Sequence, residues 1–147
     1  MKFLLTPELG RLAKWLRAMG HDAALFKGRT PDLLAKATAE GRTILTRLTS
    51  LQGHKGTPVV SIQSDQLQKQ LKELKKLRGI QWPSKNLFSR CIVCNVPVEA
   101  VAKERAKGKV PPHVFQTQDN FSYCPQCRRI YWNATHWERA SNFLRTI

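Results

Sequence analysis

Acidic residues are scarce in this sequence. The 147 residues include 10 Asp and Glu against 25 Lys and Arg, which gives a formal net charge of +15 at pH 7 and a pI of about 10.3. The excess is +9 over residues 1–80 and +6 over residues 81–147, so it is not one basic tail acting as a tether. Solubility alone seldom needs so large an imbalance. The charge therefore favours a polyanionic partner, namely nucleic acid or a nucleoprotein surface.

Long hydrophobic runs are absent as well. No apolar run approaches the roughly 18 residues that a membrane-spanning helix needs. Residues 1–7 contain no sustained apolar region with a small-residue cleavage site, which argues against secretion. The hydrophobic fraction of 41%, with four Trp and six Phe, excludes a disordered chain. We therefore expect a globular protein of the cytoplasm, which is a reducing compartment.

Cysteine is limited to four residues, and all four belong to two Cys-x-x-Cys pairs in the last third of the chain: Cys91 with Cys94, and Cys124 with Cys127. In a reducing compartment such pairs more often bind metal than form disulfides. Four thiolates complete a closed tetrahedral site, so the pattern predicts one structural zinc ion with no open position for chemistry. The alternatives are two redox-active pairs or a buried cluster without metal.

The segment between the two pairs, residues 95–123, is 29 residues long, whereas the usual zinc ribbon has about 15–20. We expect this segment to form a hairpin or arm of its own. His113 and His136 lie near the ribbon in sequence, but neither has ligand spacing from a cysteine pair. We expect Trp132 and Trp137 to pack the ribbon against the first part of the chain, although basic and aromatic side chains here can also stack on unpaired bases.

Strand and helix signals alternate along the first 80 residues. Apolar runs predict strands at 3–5, 21–26, 43–46 and 58–62, and helical periodicity predicts helices from Pro7 to Gly20, from Thr30 to Gly41 and from Ser64 to Gly79. Thr6 and Ser64 have the residue types of helix N-caps. Strands that alternate with helices in so short a chain imply parallel pairing of the strands through right-handed crossovers. The prediction is an α/β domain over residues 1–82 and a zinc-ribbon module over residues 83–147, with the boundary at Trp82-Pro83-Ser84.

Few acids are available for catalysis at the strand ends. Ligands and metals in an open parallel sheet gather outside the carboxyl ends of the strands, and a metal-dependent nuclease needs several carboxylates there. The candidates are three scattered acids, Glu8, Asp32 and Asp65. Helix capping and the helix dipole explain Glu8 and Asp32 at least as well as a catalytic role does. Three cations accompany them, namely Lys27, Arg29 and Arg47. Such an edge is a poor Mg²⁺ site and suits phosphate instead.

Two groups of motifs are together similar to one known family. The first half contributes residues 3–5, residues 9–17, Gly20-His21-Asp22, Glu40-Gly41-Arg42 and Leu45-Thr46-Arg47. The second half contributes residues 89–95, Val110-Pro111-Pro112, residues 123–127, Tyr131-Trp132 and residues 135–139. These stretches resemble the Mut-seven C-terminal RNase domain. The resemblance implies a small PIN-like three-layer α/β domain with an appended four-cysteine zinc ribbon, an RNA substrate, and Mg²⁺ or Mn²⁺ catalysis by strand-end acids.

The chain departs from that family at two positions. The family's acid after the first strand aligns with Thr6, and its acid after the Leu-Thr-Arg stretch aligns with Leu48. Among the expected acids, Asp32 and Asp65 remain. The loss of two carboxylate ligands should remove most of the affinity for a divalent cation, because the remaining oxygens cannot compensate for its dehydration.

We therefore predict a catalytically degenerate PIN-like protein that binds RNA on or within a ribonucleoprotein such as the ribosome. The predicted RNA contacts are cations of both parts: Arg11, Lys14, Arg17, Lys27, Arg29, Arg47, Lys103, Arg105, Lys107, Lys109, Arg128 and Arg129. The alternative is an active ribonuclease that holds one divalent metal with Glu8, Asp32 and Asp65. A third class is an adaptor that uses the ribbon to dock other proteins.

Overall fold

A computed structural model of the chain describes residues 1–77, 79–80, 82, 86–133 and 135–147, without the side chains of Thr135 and His136. Across these residues the strands are β1 Lys2–Leu5, β2 Asp22–Leu25, β3 Thr43–Thr46, β4 Val59–Ser61, β5 Glu99–Val101, β6 Phe121–Tyr123 and β7 Ile130–Trp132. The helices are α1 Gly10–Ala18, α2 Thr30–Glu40, α3 Leu67–Lys75, α4 Lys103–Ala106, α5 Pro112–Thr117 and α6 Thr135–Thr146. No helix in this part of the chain has the length and apolar character needed to cross a membrane.

The first four strands form a parallel sheet in the order β2-β1-β3-β4. Helix α1 connects β1 to β2, and helix α2 carries the chain from β2 past β1 to β3. The alternation of apolar runs and helical periodicity in the sequence predicted this arrangement, because parallel neighbours need a crossover. The predicted α/β class with a parallel sheet is confirmed.

The sheet is buried on both faces, which gives three layers. Successive strand residues point to opposite sides, so Phe3 and Leu5 pack with α1 and α3 while Leu4 packs with α2. All three are fully buried. Burial on both faces explains why these strands read as continuous apolar runs. The carboxyl ends of the strands are thereby held between two helical layers.

The start of the first helix differs from its prediction. A short 3-10 turn, Pro7–Leu9, precedes α1, and Thr6 stands before it in extended conformation without a capping hydrogen bond from its side chain. The Thr6 hydroxyl instead contacts Glu8 and Thr46 at the strand ends. The predicted closing glycine is required at Gly20, where φ is +86° and an added Cβ would lie 2.6 Å from the Asn86 carbonyl oxygen.

The second sheet is antiparallel, in the order β5-β6-β7, and lies in the cysteine-containing part of the chain. The long segment between the cysteine pairs forms an arm, as predicted, with β5 and the two short helices α4 and α5 before β6. A small cluster of buried residues holds the arm together: Ala106, Val110, Val114 and Phe121. This second core is separate from that of the parallel sheet.

The C-terminal helix α6 returns to the first sheet. Leu144 is fully buried in the core with α1 and α3, and Phe143 and Ile147 pack against that core. The Trp82 indole Nε1 donates to the Leu144 carbonyl oxygen at 3.1 Å. The predicted domain boundary includes Pro83 and Ser84, which lie outside the described residues. The division at residue 82 stays a prediction, and α6 packs with the part that precedes it.

Candidate functional site

The four cysteines converge as predicted. Their sulfur atoms all lie within 4.8 Å of one another, and they are the one group of metal-binding side chains found across the described residues. The Cys91 and Cys127 sulfur atoms are 3.8 Å apart. Two sulfurs bound at about 2.3 Å to a tetrahedral zinc ion are separated by about 3.8 Å. The donor set and its spacing therefore fit a metal ion such as zinc.

Both cysteine pairs adopt the same backbone turn. The residue after each second cysteine, Asn95 or Arg128, has a left-handed φ of 62°. Its N–H donates to the carbonyl oxygen of the first cysteine, at 2.9 Å from Asn95 and 2.8 Å from Arg128. The N–H of the second cysteine donates to the sulfur of the first at 3.4 Å in both pairs. Donors aimed at sulfur favour the thiolate, which is the form that binds metal.

The two thiols of the first pair have very different pKa values. The Tyr131 hydroxyl lies 3.0 Å from the Cys91 sulfur. Burial raises the pKa of Cys91, but hydrogen bonds from Tyr131 and from backbone N–H groups outweigh it and bring the pKa to about 6. Burial and the neighbouring sulfurs raise the pKa of Cys94 to about 12. A bound cation is what allows four adjacent thiols to ionise together. Zinc held by all four would have no open position, so its role would be structural.

The first cysteine pair is attached to the parallel sheet through Asn95. The Asn95 side chain accepts from the Ala23 N–H at 2.9 Å and donates to Asp22 Oδ1 at 2.7 Å, both on β2. Arg42 forms two further bonds to the Asp22 carboxylate, at 2.7 Å and 3.2 Å. Burial opposes ionisation of Asp22, but these hydrogen bonds lower the pKa of its carboxyl. The cysteine cluster is therefore fixed to the edge strand of the sheet.

Arg17, one of the predicted RNA contacts, is buried and bonded within the protein. Only 8% of the residue is accessible. Its Nε donates to the Ala23 carbonyl oxygen at 2.8 Å, and its Nη1 donates to the carbonyl oxygens of Ile92 and Val93 at 3.0 Å and 3.1 Å. The guanidinium thus connects α1 and β2 to the first cysteine pair. Burial lowers the pKa of Arg17, against the attraction of nearby Cys91, but not far enough to discharge an arginine.

The strand ends meet where the order of the sheet reverses. The chain passes from β1 to β2 on one side and then to β3 on the other, and such a reversal is where open α/β sheets bind ligands. Thr6 follows β1 and Thr46 ends β3, and their hydroxyl oxygens are 2.9 Å apart in a buried contact. The Leu48 N–H donates to the Thr46 hydroxyl oxygen at 3.0 Å. Thr6 and Leu48, the two positions where acids were expected from the resemblance, thus both border the carboxyl ends of the strands.

Glu8 is engaged by neighbouring groups at this edge. The Thr6 hydroxyl donates to Glu8 Oε1, and the Arg47 N–H donates to the same oxygen at 3.1 Å. Burial raises the pKa of Glu8, but these two hydrogen bonds and the Arg47 charge outweigh it, so the pKa is lowered overall. The carboxylate is ionised, and one of its two oxygens is already satisfied by protein donors.

The other two predicted acids stand apart from Glu8. Asp32 is exposed in the first turn of α2, where its carboxylate lies 3.6 Å from Arg29 Nε. Asp65 is exposed after β4. Within the described residues, Glu8, Asp32 and Asp65 do not form a cluster with the spacing of a metal site. The structure thus brings the four cysteines together and leaves the three acids separate.

The predicted cations other than Arg17 reach the surface. Ten are exposed: Arg11, Lys14, Lys27, Arg29, Arg47, Arg105, Lys107, Lys109, Arg128 and Arg129. Lys103 is half-buried, with its Nζ 5.0 Å from the centre of the Phe115 ring and 3.4 Å from an Asp119 oxygen. Lys27 and Arg29 follow β2 and Arg47 follows β3, so three exposed cations accompany the three acids around the carboxyl ends of the strands, here called the strand-end edge.

The two tryptophans near the last cysteine do not pack the ribbon against the first sheet as expected. Trp132 is half-buried against the core of the arm, and 37% of Trp137 is accessible. Helix α6 makes the connection instead, through Leu144. His113 is exposed on α5, outside the cysteine group, and the side chain of His136 lies outside the described residues.

Sequence reasoning missed the residues that attach the cysteine cluster, namely Asp22, Arg42 and Asn95. Each lies in a stretch shared with the family, but no spacing pattern connects residues so far apart in the chain. Asn95 carried one local signal, because an asparagine directly after a cysteine pair tolerates the left-handed conformation of the turn.

Comparison with known proteins now bears on these residues. No curated protein and no solved structure matches the chain. The family model of the Mut7-C RNAse domain matches residues 1–144, from β1 through the cysteine cluster into α6. Such a family implies an RNA-related, nuclease-like function. The chain belongs to the Mut7-C RNAse domain family.

Proposed function

We propose that this family member binds RNA without cutting it, on or within a cytoplasmic ribonucleoprotein such as the ribosome. The observation that carries the proposal is the strand-end edge. Two buried threonines and an exposed leucine border the reversal point of the sheet, and the neighbouring carboxylate, Glu8, is bonded to Thr6 and Arg47. The same edge is rich in exposed cations, which suit a phosphate backbone.

The proposed loss of cleavage rests on metal coordination. Mg²⁺ demands near-octahedral oxygen ligands and loses its water reluctantly, so several carboxylates must converge to hold it. Here Thr6 offers a hydroxyl that is already bonded to Glu8, and Leu48 offers no donor at all. Asp32 faces the positive charge of Arg29. A divalent ion at this edge would gain one engaged carboxylate and would meet the repulsion of Arg47 and Lys27.

The proposed retention of RNA binding rests on charge. The net charge of +15 is spread over both halves, and the cations at the strand ends, on α1 and on the arm are exposed. Each phosphate that pairs with a lysine or arginine releases a condensed counterion, which drives binding without base recognition. A surface of this kind fits a structured ribonucleoprotein, where many phosphates lie at fixed positions. The proposed partner is therefore an assembled RNA rather than a substrate released after a cut.

Salt dependence of RNA binding tests this function. With about six phosphate contacts, the slope of log K against log salt for single-stranded RNA should be about −4. Fluorescence anisotropy with purified protein and a labelled RNA of about 20 nucleotides, at about 50 to 300 mM salt, gives that slope. Arg47→Ala should weaken binding and reduce the slope by about 1. Lys36→Ala is the matched control, because Lys36 is paired with Glu40 on α2 and should change neither quantity. A flat salt response in the wild-type protein would contradict the proposal.

A further inference from the structure

Two adjacent cavities lie where α1 and α6 meet the first cysteine pair and β7. The first has a volume of about 410 Å³ and the second about 370 Å³, and Phe88 and Ile92 line both. Volumes of about 300–1,000 Å³ are typical of ligand sites. Neither cavity is lined by a cysteine or by a residue of the strand-end edge. They are therefore separate from both the cysteine cluster and the strand-end edge.

The walls of these cavities are mostly aromatic. In the first, the Trp15 and Phe143 rings have centroids 4.9 Å apart and are tilted by 44°. Phe88 stands between the two cavities, and the second adds Tyr131, Trp132 and Trp137. These six residues define what we call the aromatic cleft: Trp15, Phe88, Tyr131, Trp132, Trp137 and Phe143. Five of them are half-buried and Trp137 is 37% accessible, so part of each side chain remains accessible to a ligand.

Phe88 has a backbone conformation that is rare for an aromatic residue. Its φ is +56°, and its N–H donates to the Ala18 carbonyl oxygen at 2.6 Å, at the end of α1. A bulky side chain at positive φ is strained and persists where the surroundings fix it. The helix end therefore holds the Phe88 ring in the shared wall of the two cavities.

The charges at the mouth of the cleft are positive. Lys14 on α1 and Arg139 on α6 line the first cavity, and both are exposed. Among the described residues, no carboxylate lines either cavity. A purely apolar ligand would not pair with the two cations. The carboxylates of an acidic protein segment would pair with them but would not stack on the aromatic rings. A nucleotide matches both, because its base stacks on an aromatic ring and its phosphate pairs with a cation.

Helix α1 connects the cleft to the strand-end edge. It begins at Gly10, just after that edge, and runs back along the sheet to Ala18 beside the cleft, a rise of about 12 Å. Arg11 and Lys14 lie three residues apart, so they share one face of this helix, and both are exposed. Cations spaced in this way can follow the backbone of one nucleic-acid strand.

We infer that the aromatic cleft binds unpaired bases of single-stranded RNA by stacking, with their phosphates on Lys14 and Arg139. The inference rests on the proposed RNA binding and specifies its form, because a duplex keeps its bases stacked inside and cannot offer them to the cleft. The strand-end edge then binds the RNA backbone alone, whereas the cleft makes the protein prefer single-stranded RNA over a duplex.

Leucine substitutions in the cleft test the inference. Trp137→Leu removes an accessible ring and keeps apolar bulk, and Phe143→Leu removes a half-buried ring that lines the first cavity. Stacking on one base contributes enough that each variant should bind a single-stranded RNA of about 12 nucleotides roughly 5- to 100-fold more weakly. The salt slope should stay unchanged, because no cation is lost. Affinity for a duplex of the same sequence should also stay unchanged. Thermal melting and metal content show whether each variant remains folded.

The control is Phe115→Leu, which removes a half-buried ring on α5 outside the cleft. It should bind single-stranded RNA as the wild type does. The inference is overturned if Trp137→Leu and Phe143→Leu, both folded, retain wild-type affinity for the single strand. The proposed function fails in a different way, through weak or salt-insensitive binding by the wild-type protein itself.

Crosslinking of the wild-type protein gives a second readout that needs no variant. A single-stranded RNA containing 4-thiouridine should crosslink to peptides that carry Trp15, Phe88, Phe143 or Trp137. Crosslinks found only on the arm or at the strand ends would overturn the inference and would leave the cleft for an apolar partner instead.

Discussion

The cysteine cluster and the strand-end edge are the two places where the sequence predicted metal ligands, and they differ in whether the predicted ligands meet. At the cluster, four sulfur atoms from two distant segments lie within 4.8 Å of one another. At the edge, Glu8 is bonded to Thr6 and to the Arg47 backbone, while Asp32 is paired with Arg29. The four sulfur atoms converge, whereas the acids at the strand ends are dispersed.

The difference shows how a structural metal site and a catalytic one depend on sequence. The cluster needs four residues in two local turns, and the same turn is used twice, with Asn95 and Arg128 at the same φ. A carboxylate metal site at the strand ends would need acids from several separate strands, so each missing acid would remove a ligand that no neighbour replaces. We propose that this applies here, because Thr6 and Leu48 stand where acids were expected, and that the fold forms without a divalent ion at this edge.

Metal removal should have the largest effect. Structural zinc contributes on the order of 10 kcal/mol to folding in small zinc modules, so a chelator or Cys124→Ser should unfold the antiparallel sheet and its arm. Circular dichroism, with zinc content measured by mass spectrometry, checks this against an expected one zinc per chain. Val93→Ser is the matched control, because Val93 lies between the cysteines of the first pair, is 48% exposed and is not a ligand. Unchanged melting after complete zinc removal would contradict a structural role.

Restoring acids at the edge should have the next largest effect. In a Thr6→Asp, Leu48→Asp double variant, the new carboxylate at the buried position 6 stands beside Glu8, and like charges there should cost about 2 kcal/mol without metal. Mn²⁺ should reverse that loss, because an ion that binds the folded state raises stability by about 2.7 kcal/mol at 100 times its dissociation constant. Thermal melting with and without Mn²⁺ measures both. The melting temperature of the wild type should not change with Mn²⁺. Equal stabilisation of both proteins by Mn²⁺ would show that the wild-type edge already binds a divalent ion.

A smaller effect is expected at the contact that links the two regions. Asp22→Asn keeps the shape of the side chain but removes the charge bonded to Arg42 and Asn95, which should cost about 2 kcal/mol. Because the folded pKa of Asp22 is lowered, its contribution is complete above the ordinary value of 3.8 and is lost as the pH falls through the lower folded value. Urea unfolding at pH 7 should therefore give a lower free energy of unfolding for the variant than for the wild type. This gap between the two proteins should close as the pH is lowered into the acid range.

Asp119→Asn is the control for that comparison. Asp119 is 88% exposed and lies 3.4 Å from Lys103, so its loss should change stability by less than about 0.5 kcal/mol. A gap between Asp22→Asn and wild type that widens in acid would contradict the assignment of the lowered pKa.

The sequence predicted the features that arise from local patterns. Strand β3 matched its predicted bounds, because Gly41 and Arg42 end one helix and a short apolar run follows. The parallel sheet followed from alternation, and the cysteine cluster followed from two identical short motifs. These features depend on neighbours in the chain, which a sequence displays directly.

The features that arise from tertiary contacts were missed or mistaken. Arg17 was predicted to contact RNA, but its guanidinium donates to the carbonyl oxygens of Ile92 and Val93, about 75 residues later in the chain. Thr6 has the residue type of a helix N-cap, but its hydroxyl donates to Glu8 and lies in hydrogen-bond contact with the Thr46 hydroxyl instead. Leu144 could not be assigned to the first core, because its partners belong to α1 and α3. In each case a distant segment supplies the partner that decides the role.

Cleavage of RNA by the purified wild-type protein in Mn²⁺ tests most directly whether the edge has kept phosphate binding and lost the metal. A labelled single-stranded RNA should remain intact during prolonged incubation while it stays bound at low salt, and Asp32→Ala should behave as the wild type does. Mn²⁺-dependent cleavage that disappears in Asp32→Ala would show that the remaining acids still hold a catalytic ion.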